Sequence, residues 1–353
     1  MSIDAFTPRV LTRSVNKTGD ALRNLLLTRL FGERNTHPTN TIDFGVLKGN
    51  VKVSGYTRPG EPAKPVDKLV GDLKTINAPE IRLKKALDRS FYSTLNPGVA
   101  GFSGPYMNVN DQTAEKVIKE QEDLRRKIER QMEVTSAEAL RTGQATLTYA
   151  DGSTVTVDYE YVSTAGDAKT IQTTLTGTDK WNDPVSKPLK TLSTLARQIR
   201  QYSSWDGELD VLMGYDALES FLENAQVKTA LDNRRIEFGG MRPVERGAVQ
   251  GNIKGLTIFE YVMSYDAAAG TKTSGWDKDT IAVIPSGSNL FSIEHGAVFE
   301  RQSPESNHPE YIQTPWFSSI VKHEDPPATD LIVQSNPIPL IRDSRAIRIL
   351  KVQ

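Results

Sequence analysis

The stretch from Gln112 to Gly143, QTAEKVIKEQEDLRRKIERQMEVTSAEALRTG, has no proline and no glycine before its last residue. Good helix formers dominate it, and Ala114, Val117, Gln121, Leu124, Ile128, Met132 and Thr135 fall three or four residues apart on one stripe. The spacing predicts one helix over 112–142, capped by Asp111 and stopped at Gly143, where a left-handed residue ends a helix without a Cβ penalty. At 1.5 Å per residue such a helix is about 46 Å long. The charged run Glu120–Glu133 reads as a solvated face stitched by ion pairs. A narrow stripe interrupted by polar residues argues against a coiled coil. Next, Ala145–Tyr149 and Thr154–Tyr159 flank Asp151-Gly152, the signal of a hairpin with a two-residue type I′ turn. A long helix feeding a hairpin is a helix laid on a sheet.

Towards the N-terminus, residues 1–40 read as an arm. Ala21–Phe31 carries apolar residues at helical spacing, with Gly32 as the stop. So short a helix needs a docking surface. From Thr39 to Asp88 the pattern is extended. Thr41–Phe44 and Asn50–Val53 alternate with period two and are joined through Leu47-Lys48-Gly49. Pro59, Pro62 and Pro65 then mark the tip of a long two-stranded excursion, because proline cannot sit inside a sheet. Loops of this length tend to be functional.

Residues 163–325 read as a second, mixed lobe. A helix is expected near Lys187–Ser203, with Leu189, Leu192, Leu195, Ile199 and Tyr202 inward. Shorter helices are expected at Ala217–Leu222 and Val227–Leu231, and strands at Leu209–Met213, Leu256–Val262 and Thr280–Pro285. The tail returns to strand character at Asp330–Val333 and Ala346–Leu350, and its last strand is expected on the first lobe beside the hairpin.

Composition bounds the reading. The chain has 353 residues, 37% of them hydrophobic, with 25 Gly and 19 Pro. That length fits two lobes, and the apolar content is slightly poor for it, so part of the chain must find its partner surface elsewhere. With no cysteine, disulfides and thiolate metal sites are excluded. Met1–Val15 has no apolar core of the signal-peptide kind, and no run reaches the length of a membrane span. The net charge of −1 hides a division. Residues 1–90 hold 16 Lys/Arg against 9 Asp/Glu, and the remainder 27 against 35. Three readings stand: scatter over a solvated surface, a basic N-terminal part lying on the acidic body of another copy, and nucleic-acid binding. The last lacks aromatic interleaving or a basic cluster.

No phosphate loop, dinucleotide fingerprint or metalloprotease spacing is present. Gly101–Gly104 lacks the spacing of a nucleophile elbow. His37, His295, His308 and His323 make no ligand pattern, and His308 near Glu305 and Glu310 reads as an ordinary surface loop before it reads as a metal site. Trp181, Trp205, Trp276 and Trp316 read as core or interface anchors. No catalytic constellation and no cofactor site emerges, although plentiful carboxylates leave a hydrolase with an unrecognised carboxylate pair as an alternative.

The order of elements, together with particular residues, resembles the HK-97-type capsid fold of tailed bacteriophages, and more closely the phage lambda major capsid protein family (capsid protein E). Leu26–Phe31 with Thr41-Ile42 is similar to the family's opening. Gln121–Gly143 is similar to the end of its spine helix, and Gln144–Val157 to its hairpin. Gly214–Leu218, Val227–Asp232 and Arg234-Arg235 resemble its outer-lobe helices. The most specific match is Gln334-Ser335-Asn336-Pro337-Ile338-Pro339-Leu340, similar to the family's Gln-Ser-x-Pro closing motif before the last strand. The likeness runs from about Leu22 to Gln353.

The resemblance implies an α+β fold with an N-terminal arm (1–38), an extended loop (39–90), a peripheral domain (91–160 with 326–353) built on the spine helix and β-hairpin, and an axial domain (161–325). It implies no catalysis and no cofactor. The chain would be a major capsid protein assembling with itself into pentamers and hexamers of an icosahedral head. A scaffolding protein would act in trans, a portal protein would join the shell, and some relatives add a trimeric decoration protein. Double-stranded DNA would be packaged inside without sequence-specific contacts, in a virion assembled in the host cytoplasm and without a membrane. An encapsulin-like compartment shell of the same fold is the alternative within this class. Candidate inter-subunit contacts are Leu26, Leu30, Phe31, Ile42, Val51, Val53, Arg58, Lys64 and Lys68. Candidate structural positions are Gly143, Asp151, Gly152, Gln334 and Pro337.

Overall fold

The computed structural model describes residues 7–17, 24–48, 70–87, 109–149, 151–161, 170–203, 205–232, 239–243, 249–266, 272–287, 289–300, 310–323 and 328–353. The long helix runs Val109–Thr142, 34 residues. It starts three residues before the expected position, so Asp111 lies within the first turn and is not the cap. Its end is as expected. Gly143 has φ +75°, and its N–H donates to the Ala139 carbonyl at 3.0 Å.

Val117, Gln121, Leu124, Ile128, Met132 and Thr135 are buried, as the stripe predicts. The charged run departs from expectation. Lys119–Glu115 and Lys127–Asp123 are exposed i,i+4 pairs, but Arg125, Glu129 and Glu133 are buried. With Gln121 they form a second line at four-residue spacing, covered by elements remote in sequence.

The chain divides into two compact units. One comprises Met1–Asp43, Thr75–Glu133 and Ser292–Leu340, the other Phe44–Lys74, Val134–Phe291 and Ile341–Gln353. In the first, Phe317–His323, Ala328–Ser335 and Ile81–Leu87 form an antiparallel sheet in that order. A helix over Pro8–Lys17 packs on Phe317–His323 through the buried Leu11 and Val15. It was not anticipated. Proline at the first helical position and the i,i+4 pair Leu11/Val15 account for it. A five-residue helix, Leu25–Arg29, follows.

A second sheet of this unit joins Glu33–Thr36, Phe291–His295 and Pro337–Ile341, the first two parallel. The closing motif is the passage between the two sheets. Gln334 is buried at the end of one, opposite Phe317 and Arg82. Pro337 opens a strand of the other, a position that tolerates a missing N–H. Asn336 accepts from Gly296 N–H at 2.9 Å through its carbonyl and donates from Nδ2 to the Ala297 carbonyl at 2.8 Å. Gly296 has no room for a side chain, because a Cβ there would lie 2.5 Å from the Ala78 Cβ.

Thr41–Lys48 pairs with Val70–Asn77. The first strand therefore passes through Leu47 and Lys48, where a turn was expected. Val51, Val53, Arg58, Lys64, Lys68 and the prolines of the expected tip lie outside the described residues.

The second unit is built on a seven-stranded mixed sheet, in the order Gln172–Thr174, Arg348–Lys351, Thr280–Pro285, Leu209–Met213, Leu256–Glu260, Val249–Ile253, Gly239–Pro243. Leu209–Met213 and Thr280–Pro285 are buried throughout, the pattern of interior strands covered on both faces. Helices Pro188–Ser203, Tyr215–Glu223 and Ala225–Asp232 stand where periodicity placed them. Leu189, Leu192, Leu195, Ile199, Phe221 and Trp181 pack with the sheet in one core. The last strand, Arg348–Lys351, belongs here and not beside the hairpin: it pairs with Thr280–Val283 and, in parallel, with Gln172–Thr174. Its apolar alternation suits either sheet, and the partner is chosen by long-range packing.

The hairpin Gln144–Thr148/Thr154–Asp158 is present with a different turn. Tyr149 N–H donates to the Ser153 carbonyl at 2.8 Å and Gly152 N–H to the Tyr149 carbonyl at 3.0 Å. Positive φ falls on Gly152, at +82°, and not on Asp151. That is a three-residue loop ending in a glycine bulge in place of a type I′ turn. Asp151 holds the loop by accepting from Ser153 N–H at 2.9 Å and from Ser153 Oγ at 2.6 Å.

Candidate assembly surfaces

The long helix fastens both arm helices with buried charges. Arg125 donates from Nη1 to the Val15 carbonyl at 2.6 Å, in the last turn of Pro8–Lys17. Eight residues on, Glu133 accepts Leu26 N–H at 3.1 Å and Leu27 N–H at 3.0 Å, at the start of Leu25–Arg29. A cation thus meets carbonyls that a helix end leaves without partners, and a carboxylate meets amides of the same kind. Arg125 is held in turn by Glu129 at 2.8 Å and lies 4.9 Å from the centre of the buried Trp316 ring. Thr12 and Asn16 add bonds to the Ser318 and Trp316 carbonyls.

This arrangement corrects part of the expectation about the arm. Leu26, Leu30, Phe31 and Ile42, read as contacts to a neighbour, are buried within their own subunit. The described arm docks on its own chain. The four-residue spacing of Gln121, Arg125, Glu129 and Glu133 puts them on one helix line, but nothing local to that line signals that it is buried.

A titratable cluster lies where Glu33–Thr36 runs along Phe291–His295. Glu294 accepts from Ser292 Oγ at 2.6 Å, from Asn35 Nδ2 at 3.1 Å, and pairs with His37 Nε2 at 2.8 Å. Burial raises its pKa, but these hydrogen bonds outweigh burial and hold it below the usual value. His295 is fully buried, with Nδ1 3.1 Å from Ser335 Oγ. Burial pushes its pKa from 6.5 down to about 3, with Arg34 and His37 acting the same way and Glu294 opposing. The folded value lies below the unfolded one, so the unfolded chain takes up the proton first. Stability from the neutral ring is complete above pH 6.5 and falls as pH drops towards 3, by about 1.4 kcal/mol per pH unit. Glu294 acts in the same direction below its usual 4.5. In urea unfolding between pH 7 and pH 5, His295→Gln is expected to flatten the acid slope by about one proton. An unchanged slope would show that the imidazole is not its source.

Trp181, Trp276 and Trp316 are buried, and Trp205 packs against the second unit's core. A groove of about 600 Å³ beside Gln172–Thr174 is lined by several threonines, Lys187, Lys190 and one carboxylate, Asp179. Glycoside hydrolysis by a carboxylate pair requires two such groups. Among the described residues no group of three or more His, Asp or Glu could hold a metal ion, and no helix is long and apolar enough to cross a membrane.

Arm helices, paired excursion, long helix, hairpin and a mixed sheet closed by the last strand define an α+β structural protein with HK-97-type capsid architecture. The chain belongs to the phage major capsid protein E family, whose model it matches over residues 7–352. That family is structural and non-catalytic, so the hydrolase alternative falls. Among solved structures, the chain is similar to the putative capsid protein of a prophage from E. coli CFT073. Identity is 13%, coverage is 99% of this chain and 100% of that one, and the TM-score is 0.65. It is also similar to a phage-related protein from Bordetella bronchiseptica RB50, with 11% identity, 99% and 98% coverage and a TM-score of 0.54. No curated protein matches.

Proposed function

We propose that this chain is the major shell subunit of a phage head, assembling with itself into pentamers and hexamers that tile an icosahedral capsid around double-stranded DNA. The match to the family over residues 7–352 carries the reading. The capsid-like fold over 99% of the chain supports it. The first unit, which holds the helix up to Glu133, corresponds in this reading to the peripheral domain, and the unit of the seven-stranded sheet to the axial domain. The excursion begun by Thr41–Lys48 and Val70–Asn77 is the extended loop that reaches a neighbour. Val51, Val53, Arg58, Lys64 and Lys68 stay as its candidate contacts. Scaffolding, portal and decoration proteins are the expected partners in a virion assembled in the host cytoplasm.

Electron microscopy of the purified protein tests the reading. Closed shells, sheets or tubes are expected, and a monomer under every solution condition would overturn it. Charge gives a kinetic prediction as well. Residues 1–90 carry seven more basic than acidic groups, and the remainder eight more acidic than basic ones. If these meet across subunit boundaries they set the encounter rate and register more than the affinity. Light-scattering assembly rates are then expected to fall as added salt shortens the Debye length from about 30 Å at 0.01 M to about 10 Å at 0.1 M. A rate indifferent to salt would remove the electrostatic part.

A further inference from the structure

The sheet of Phe317–His323, Ala328–Ser335 and Ile81–Leu87 has an edge strand on each side. An edge strand offers its outward N–H and C=O groups to any other strand that meets it. The two edges of this sheet differ. Ile81–Leu87 carries Arg82, Lys84 and Lys85, and charge of this kind is a common way to blunt an edge. Phe317–His323 begins Phe317-Ser318-Ser319-Ile320-Val321, with no charge, proline or glycine before Lys322. A window of that composition pairs with copies of itself when it is left open.

In this subunit the helix Pro8–Lys17 lies along that edge and turns polar side chains to its backbone. Thr12 Oγ1 donates to the Ser318 carbonyl at 3.2 Å and accepts the Ser318 N–H at 3.1 Å. One hydroxyl thus does for Ser318 what a neighbouring strand would do. One helical turn on, Asn16 Nδ2 donates to the Trp316 carbonyl at 2.9 Å. The two repeats match. Four helix residues rise about 6 Å and two strand residues about 6.6 Å, so one polar side chain per turn meets every second residue of the edge. Leu11 and Val15 seat the helix beside this line, and Arg125 holds the Val15 carbonyl. Towards the N-terminus the line ends on Pro8, whose ring offers no hydrogen bond. The strand by then has reached Ile320, and its own charge follows at Lys322.

We propose that the arm helix is an edge guard: seated on its own subunit, it stops the Phe317–His323 edge from pairing with the same edge of a second copy. The guard acts on the free subunit and stands whether or not that subunit builds a shell.

The test uses the full-length protein below the concentration at which it assembles. Leu11→Asp with Val15→Asp puts two carboxylates into the buried seat and is expected to free the arm, read as cleavage near Lys17 accelerated about tenfold or more. The chain has no cysteine, so Val321→Cys, at a position 39% exposed on the edge strand, supplies a single thiol that reports the approach of two edges. Cross-linking by a short bismaleimide is expected to be severalfold faster with the arm freed than with it seated. A thiol placed instead at Val185, exposed in the second unit, is expected to show no such change. Val321→Lys in the freed-arm chain is expected to return dimers and larger species to monomer in sedimentation. Thr12→Val with Asn16→Leu removes the edge bonds while keeping Leu11 and Val15, and repeats the experiment should the aspartate variant not fold. A freed arm without faster cross-linking at position 321, equal acceleration at position 185, or association that survives Val321→Lys would overturn the guard. An arm that stays protected from protease in both variants would overturn it too, because the contacts described would then not be what seats the helix.

Discussion

Arg125→Met is expected to lower the stability of the unassembled subunit by about 3–5 kcal/mol, the range for breaking a buried ion pair from one side. The loss has three sources. Glu129, 1% exposed on its side chain, loses the guanidinium 2.8 Å away. The Val15 carbonyl loses the donor that closes the arm helix. The Trp316 face loses its cation. Methionine keeps most of the volume, so a cavity is a minor part of the loss.

Urea unfolding measures the total, and Arg125→Met with Glu129→Met separates the sources. Replacing both charges by apolar groups of similar size is often close to neutral, so the double variant is expected to recover more than half of the loss. If it recovers nothing, the arm contact and not the ion pair governs. Limited proteolysis reads the arm directly, and cleavage near Lys17 is expected to accelerate in both variants. An unfolding midpoint unchanged in Arg125→Met would contradict the latch altogether.

That latch also shows why some of the molecule could be read in advance and some could not. The long helix and its stop depend on local features: an unbroken run of helix formers, then one glycine. The helices packed on the seven-stranded sheet and three of its strands, Leu209–Met213, Leu256–Glu260 and Thr280–Pro285, were legible for the same reason, since their periodicity lies within each segment, whereas Gln172–Thr174, Gly239–Pro243 and Val249–Ile253 were not read as strands. The burial of Arg125, Glu129 and Glu133 depends on the arm, more than a hundred residues earlier, and on Trp316, almost two hundred later. In isolation that line of charges looks like any solvated helix face. The helix Pro8–Lys17 was hidden because its apolar residues satisfy period two about as well as i,i+4 spacing. Arg348–Lys351 could have joined either unit, since alternation fixes a strand's faces and not its partner. In the same way Val298-Phe299-Glu300 does not reveal which side chain points to water until Val298 is seen in the core.

Gly143→Val is expected to prevent accumulation of soluble subunit, through a loss of about 2–5 kcal/mol, a large part of the 5–15 kcal/mol that holds a typical domain together. Two effects add. At φ +75° a β-branched residue carries the left-handed penalty, and a Cβ would overlap Tyr161 Cγ at the near end of the ring, with Cδ1 and Cδ2 2.6 Å away. Tyr161 cannot simply move. Its hydroxyl donates to the Leu140 carbonyl at 2.9 Å, one of several bonds that close the helix end, with Gln172 Nε2 reaching the Arg141 carbonyl at 2.6 Å and Tyr159 N–H the Gly143 carbonyl at 2.9 Å. Gly152 provides the control. Its φ is +82°, yet nothing lies within 4 Å of the Cβ it would gain. Gly152→Ala therefore measures the backbone penalty alone, about 1 kcal/mol, and Gly143→Ala the same penalty plus the ring. The second is expected to exceed the first by about 1–3 kcal/mol in urea unfolding. Equal losses would mean that Tyr161 yields freely, and a soluble, normally folding Gly143→Val would mean that the helix does not end on this glycine in the way its geometry requires.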